Sequence, residues 1–140
     1  MWYPASITSI DKITNQTWKF VIEPNEKFDF IPGQFIQLKI GETKRSYSIA
    51  SYDPNNNFFE LLIVKLDGGA MTKILFEDIS LGQKIEIKGP IGRFTLPENI
   101  DTLLLRSTSR KSDVIFNSFD KRLFDNNKLK TRIYLKYFSI

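Results

Sequence analysis

The sequence predicts an antiparallel β barrel or sandwich over residues 1–97, followed by a short strand–helix–strand unit over residues 98–140. Three observations predict it. The first part is a series of short runs with alternating side chains, separated by Gly, Pro and Asn turn signals. One glycine pair, Gly68-Gly69, interrupts them and precedes apolar residues at helical spacing. Beyond Asn99 the pattern becomes strand, helix, strand, and such units belong to parallel sheets.

The elements follow in order. Residues 5–11 alternate weakly. Residues 17–23 alternate clearly, with Trp18, Phe20 and Ile22 opposite Thr17, Lys19 and Val21, until Pro24-Asn25-Glu26 ends the run. The turn Ile31-Pro32-Gly33-Gln34 leads into a strand at 35–40, and Gly41-Glu42 breaks it. The next strand, 45–51, divides its side chains between two faces. Arg45, Tyr47 and Ile49 fall on one, Ser46, Ser48 and Ala50 on the other. Asp53-Pro54-Asn55-Asn56-Asn57 is a dense turn, and 58–65 is a mostly apolar strand. After the glycine pair, Met71, Ile74, Leu75 and Ile79 share the face of one short helix. Leu81-Gly82-Gln83 turns back into a strand at 84–88. Gly89-Pro90-Ile91-Gly92-Arg93-Phe94 reads as a rigid turn, and Pro97 closes this part. In the last third, 102–105 is a short strand and 107–112 is polar and basic. Residues 114–124 form a helix capped by Ser112 or Asp113, and 131–138 is a final strand. There is no internal repeat.

Composition limits the chemistry. The chain of 140 residues is one domain, or one domain with an appendage, and its 41% hydrophobic content and twelve Phe residues suffice for a core. It has no Cys and no His. Disulfides, thiolate nucleophiles, Cys-ligated iron–sulfur clusters and Ser-His or Cys-His pairs are thereby excluded, and no metal site is expected. Any redox chemistry must come from a bound organic cofactor. The net charge of +4 lies entirely in residues 98–140, where the basic residues are spread among apolar ones, so nucleic acid is not an expected partner. Apolar runs are too short for a membrane span. Met1-Trp2-Tyr3-Pro4 does not resemble an export signal, and a cytoplasmic protein is expected.

Four features converge on residues 30–94: the Pro32-Gly33-Gln34 turn, the Arg45–Ser48 run, the Gly69–Thr72 helix start and the Gly89–Gly92 turn. A glycine pair before a helix lets backbone approach an anion, and the first helical N–H groups lack internal partners. Thr72 offers a hydroxyl and Arg45 a countercharge. Tyr47 offers a flat ring, and Ser48 a donor at the edge of a flat ligand. Taken singly, each has an ordinary reading: Gly68-Gly69 as a loop, Arg45 as a surface charge, Tyr47 as core filler.

In this order the segments Phe30-Ile31-Pro32-Gly33-Gln34-Phe35, Arg45-Ser46-Tyr47-Ser48-Ile49-Ala50-Ser51, Gly69-Ala70-Met71-Thr72 and Gly89-Pro90-Ile91-Gly92-Arg93-Phe94 resemble the FAD-binding domain of the ferredoxin–NADP reductase superfamily. The resemblance covers residues 5–97. It implies a mainly β fold, a six-stranded antiparallel Greek-key barrel with one short helix. It implies FAD as cofactor and a flavin-dependent oxidoreductase module that transfers hydride or electrons. Arg45 would contact the pyrophosphate. Tyr47 would pack on the ring system, and Ser48 would hydrogen-bond the flavin near N5, which makes Tyr47 and Ser48 the candidate catalytic pair. Ile63, Val64 and Lys65 would line the groove, while Gly69, Ala70, Met71 and Thr72 would bind phosphate oxygens.

The family's second domain, which binds NAD(P), opens with a strand and a glycine-rich loop. Here the strand Leu103-Leu104-Leu105 is followed by Arg106-Ser107-Thr108-Ser109-Arg110-Lys111-Ser112, without glycine. Close approach to a pyrophosphate needs glycine at that point. Residues 98–140 are therefore expected to be a truncated remnant of the NAD(P)-binding α/β domain, with NAD(P)H binding in doubt. Its apolar residues Ile133, Leu135, Tyr137 and Phe138 are expected to pack on the barrel, on a symmetry mate or on another subunit, which allows a homodimer or a redox partner protein. The competing reading is a non-catalytic interaction module derived from a reductase. A nucleic-acid-binding barrel is disfavoured by the absence of a basic surplus in residues 1–97.

Overall fold

The computed structural model describes residues 1–51, 53, 55–93, 104–107 and 134–137. The elements are β1 (Tyr3–Lys12), β2 (Thr17–Pro24), β3 (Phe35–Ile40), β4 (Thr43–Ser48), β5 (Phe59–Val64), α1 (Ala70–Lys73), β6 (Lys84–Ile91), β7 (Leu104–Ser107) and β8 (Tyr134–Tyr137). The first six strands form one antiparallel sheet in the order β4-β3-β6-β1-β2-β5. The described residues are mainly β with one short helix, as the sequence predicts for residues 1–97. Placing β6 between β3 and β1 joins the two hairpins in the Greek-key manner. The sheet is not closed by a ladder, but its two edges meet at one end. Just past β4, Ala50 N–H donates to Glu60 O at 2.8 Å and Glu60 N–H donates to Ser51 Oγ at 2.8 Å. Alongside this seam α1 lies against β4.

Alternation explains the core. Phe20 and Ile22 of β2, Ile36 and Leu38 of β3, Phe59 and Leu61 of β5, and Ile85 and Ile87 of β6 all point inward and are buried. Each such side chain contributes about 1.5–3 kcal/mol by leaving water. In β1, Ala5 and Ile7 face inward, and a register shift between Ile7 and Ser9 then returns Ile10 to the side of Phe20. From the helical segment, Met71 and Leu75 complete the core.

Several boundaries differ from the sequence reading. The strand expected at 45–51 begins at Thr43 and ends at Ser48, because Ala50 turns away to bond with Glu60. The helix is one α turn followed by a wider π turn, Ile74–Asp78, and Phe76 packs on Trp18 with ring centroids 4.5 Å apart. Gly89, Pro90 and Ile91, read as a rigid turn, continue β6. Gly89 takes a φ of 148°, the Gly89–Pro90 peptide is cis, and the pairing with β3 shifts register between Phe35 and Gln37 to accommodate them. The strands expected at 102–105 and 131–138 are seen as β7 and β8. They pair in parallel, Leu104 opposite Tyr134. The helix predicted at 114–124 lies outside the described residues, as do Phe94 and Pro97. No helix among the described residues is long and apolar enough to cross a membrane.

Candidate functional site

The β3–β4 register sets the geometry. Arg45 stands opposite Leu38, Tyr47 opposite Ile36, and Ser48 opposite Phe35. Directly opposed residues of an antiparallel pair share a face, and Ile36 and Leu38 are fully buried. Arg45 and Tyr47 therefore project from the inner face of the sheet, on an edge strand beside the seam. Ser48 projects from the outer face.

Along that face the burial is graded. Arg45 is exposed, and its Nη1 donates to Lys44 O at 2.7 Å. Its other guanidinium donors have no protein partner among the described residues. Tyr47 is half-buried and packs against the core. Burial pushes its pKa up to about 12, with the neighbouring Arg45 charge opposing the rise, so its hydroxyl is neutral at physiological pH. The pair thus offers an accessible cation next to a neutral aromatic ring.

The glycine pair closes the other side. Gly68 has a φ of 73°, and Gly69 N–H donates to Leu66 O at 3.1 Å, so the chain reverses sharply into α1. Gly69 is the N-cap residue and has no side chain to cap the helix. Lys73 N–H reaches Gly69 O, which leaves the N–H groups of Ala70, Met71 and Thr72 without a backbone partner. The Met71 side chain is in the core. The buried Thr72 hydroxyl lies 3.0 Å from both Leu66 O and Gly69 O, to which it donates. Its side chain therefore braces the turn, and only its backbone N–H faces the helix start. Ala70 is exposed.

The β5 candidates separate by depth. Ile63 is buried opposite Trp18, and Val64 is half-buried opposite Thr17. Lys65 is exposed, its backbone N–H bonding to Gln16 O at 2.7 Å and its ammonium 3.4 Å from Glu77.

Gln34 carries a function the sequence did not assign. Its side-chain oxygen accepts from Ile31 N–H at 3.0 Å, its amide donates to Gly92 O at 3.3 Å, and its backbone O accepts from Ile49 N–H at 3.1 Å. One residue therefore ties the Pro32-Gly33 turn to the end of β4 and to the Gly92 segment. The available signal was a carboxamide at the last position of a Pro-Gly turn, just before an apolar strand.

The sequence pattern of the oxidoreductase FAD-binding domain family matches residues 4–96. A CDP-6-deoxy-L-threo-D-glycero-4-hexulose-3-dehydrase reductase of Yersinia pestis is 33% identical over 99 residues, which are 69% of this chain and 30% of that protein. The reductase component of propane 2-monooxygenase from Mycolicibacterium smegmatis is 42% identical over 79 residues, 55% of this chain and 22% of that protein. The chain thus spans less than a third of the length of these relatives. Among solved structures, phthalate dioxygenase reductase superposes with a TM-score of 0.82 at 20% identity, over 96% of this chain and 43% of that one. A ferredoxin NADP+ reductase from Neisseria gonorrhoeae, with bound FAD and NADP, gives 0.77 at 21%, over 96% of this chain and 56% of that one. Those structural likenesses establish the fold.

Proposed function

The chain belongs to the oxidoreductase FAD-binding domain family, and from that premise we propose that it holds FAD along β4 and serves as an electron- or hydride-transfer module. The observation that carries the proposal is the joint placement of Arg45 and Tyr47 on the inner face of an edge strand, with the start of α1 beside it. The residues fit the cofactor. The unpartnered donors of Arg45 and the N–H groups of Ala70, Met71 and Thr72 suit a pyrophosphate, with Gly69 keeping the turn tight. The neutral, half-buried Tyr47 suits a ring system. Ser48 lies on the opposite face of β4 from Tyr47, so the donor it offers near flavin N5 is its backbone N–H at the open strand edge, and Val64 and Lys65 line the groove above the core residue Ile63. FAD, when bound, supplies the hydride and electron-transfer chemistry.

Residues 1–97 form the FAD barrel in this reading, and residues 98–140 belong to an NAD(P)-type α/β unit. The parallel β7–β8 pair supports that assignment. A bound FAD would take its electrons from a separate chain or from weakly bound nicotinamide, and a redox partner protein would accept them. The related chains named as monooxygenase reductase components support a partner of that kind. The setting is cytoplasmic. An absorbance spectrum of the purified protein tests the cofactor assignment, taken before and after addition of FAD and then of NADH or NADPH. Flavin bands are expected. Protein that stays colourless after incubation with FAD would overturn the proposal and favour a non-catalytic interaction module.

A further inference from the structure

Ser51 is a buried hydroxyl to which the flavin assignment gives no part. It is 9% exposed, and its Oγ accepts from Glu60 N–H at 2.8 Å. One residue earlier, Ala50 N–H donates to Glu60 O at 2.8 Å. In an antiparallel ladder Ala50 would answer with its own carbonyl. Here the Ser51 side chain takes that place, so the chain has already turned out of β4 where it meets β5. A ladder continued from Ala50 and Glu60 would set Ser48 opposite Leu62 and Arg45 opposite Lys65. None forms, and β4 and β5 stand at the two ends of the strand order.

The two strands therefore meet at one point and stand apart beyond it. Ile49 N–H bonds towards β3, at Gln34 O, and Ala50 N–H bonds towards β5. The backbone groups of Ser46 and Ser48, in step with Ala50, face the same opening. From the other side Glu60 faces it, and so do Leu62 and Val64, whereas Lys65 N–H turns away to Gln16 O. Tyr47 and Val64, assigned to the flavin ring and its groove, flank this opening, and the Ser51–Glu60 bond is its apex. We propose that Ser51 is a positioning residue, which clasps β5 at the apex and so sets the width of the opening that receives the flavin ring. The role rests on the flavin assignment and acts through β5 rather than on the cofactor. Without the hydroxyl, the part-buried Glu60 N–H loses its acceptor, and a buried backbone donor left unpaired favours opening of the strands.

The test uses the full chain, first without flavin. Amide hydrogen exchange, resolved by residue with NMR, should show Ala50 and Glu60 protected in the wild type. Ser51→Ala should speed exchange at both by roughly tenfold, while Ile49, held by Gln34, stays protected. Fluorescence titration then compares FAD with riboflavin. Ser51→Ala should weaken both by a similar factor, roughly threefold to tenfold, because the ring is common to them. Loss of a pyrophosphate contact would be felt by FAD alone. Ser51→Thr keeps an oxygen at the same position and should match the wild type in each measurement. Unchanged Ala50 exchange in Ser51→Ala, loss of protection that extends to Ile49, or unchanged affinity for both flavins would each overturn the positioning role and leave the flavin assignment standing. A wild type that binds neither FAD nor riboflavin would overturn the flavin assignment, and this role with it.

Discussion

A Cβ on Gly69 would stand 2.6 Å from Thr72 Oγ1 and 3.2 Å from Leu66 O. The φ of Gly69 is −74°, which any residue can adopt, so glycine is required there for space. The hydroxyl that excludes a side chain is the one that braces the turn by donating to Leu66 O and Gly69 O. Gly69→Ala is therefore expected to destabilise the protein by about 1–3 kcal/mol, the usual cost of overpacking, and to weaken FAD binding. Thr72→Ala should relieve much of the clash. The double variant should be less damaging than the sum of the single ones, and urea midpoints of the four proteins measure that coupling. Strict additivity would mean that the two residues do not constrain each other.

Arg45 is an accessible cation of the site, and its only bond among the described residues is to the carbonyl of its neighbour Lys44. Truncating it removes a charge-assisted bond worth about 1.5–3 kcal/mol and leaves no buried group unsatisfied. Arg45→Ala should weaken FAD binding by roughly ten- to a hundredfold while leaving the melting temperature near that of the wild type. Riboflavin, which has no pyrophosphate, should lose little. Equal losses for the two ligands, measured by flavin fluorescence titration, would reject the pyrophosphate assignment.

Tyr47 predicts an alkaline dependence. Its pKa in the fold is raised to about 12 by burial, against 10.0 for a free tyrosine. The folded protein therefore holds this proton more tightly than the unfolded chain does. Stability from this group is full below pH about 10 and falls as pH rises towards about 12. Lys19 acts in the same direction, because Glu60 and then Asp11 raise its pKa above 10.5. Tyr47→Phe should flatten part of the alkaline decline in urea midpoints, and the wild type should show a tyrosine ionising near pH 12 that the variant lacks. An unchanged alkaline profile would mean that Tyr47 is as solvated in the fold as in the unfolded chain.

The barrel was legible because its strands are half-buried. A face packed on the core enforces alternation, so 17–23 and 35–40 could be placed nearly to the residue. The glycine pair marked the start of α1 for the same local reason. What escaped depends on pairing between distant segments. Gly89-Pro90 carries every sign of a turn, yet β3 holds it in β6 by shifting register opposite Phe35. The π turn after α1 preserves an apolar spacing close to that of a helix, so periodicity cannot distinguish it. Within the site, the two faces of the Arg45–Ser48 run followed from alternation alone. The use of the Thr72 hydroxyl inside its own turn, and the three bonds of Gln34, did not, since each needs partners fixed by the tertiary fold. The charge balance of residues 1–97 likewise hid a segregation, because lysines at 39, 44 and 88 share a face only once β3, β4 and β6 are paired.

Trp18 gives a prediction in which a substitution is well tolerated. Its ring packs on Phe76 at 4.5 Å and on Phe20 at 6.5 Å, while its indole Nε1–H is buried with no hydrogen-bond partner among the described residues. A buried donor without an acceptor costs about 1–3 kcal/mol, so part of what the ring contributes by packing is cancelled by its own nitrogen. Phenylalanine keeps an aromatic face towards Phe76 and removes the donor, at the expense of some volume. Trp18→Phe should therefore change stability by less than about 1.5 kcal/mol, whereas Trp18→Ala should cost about 3–5 kcal/mol through the cavity it opens. Urea unfolding of both variants checks the contrast. A Phe variant as damaged as the Ala variant would show that the indole nitrogen has a partner, and that the ring's fit rather than its aromatic face holds the π turn to β2.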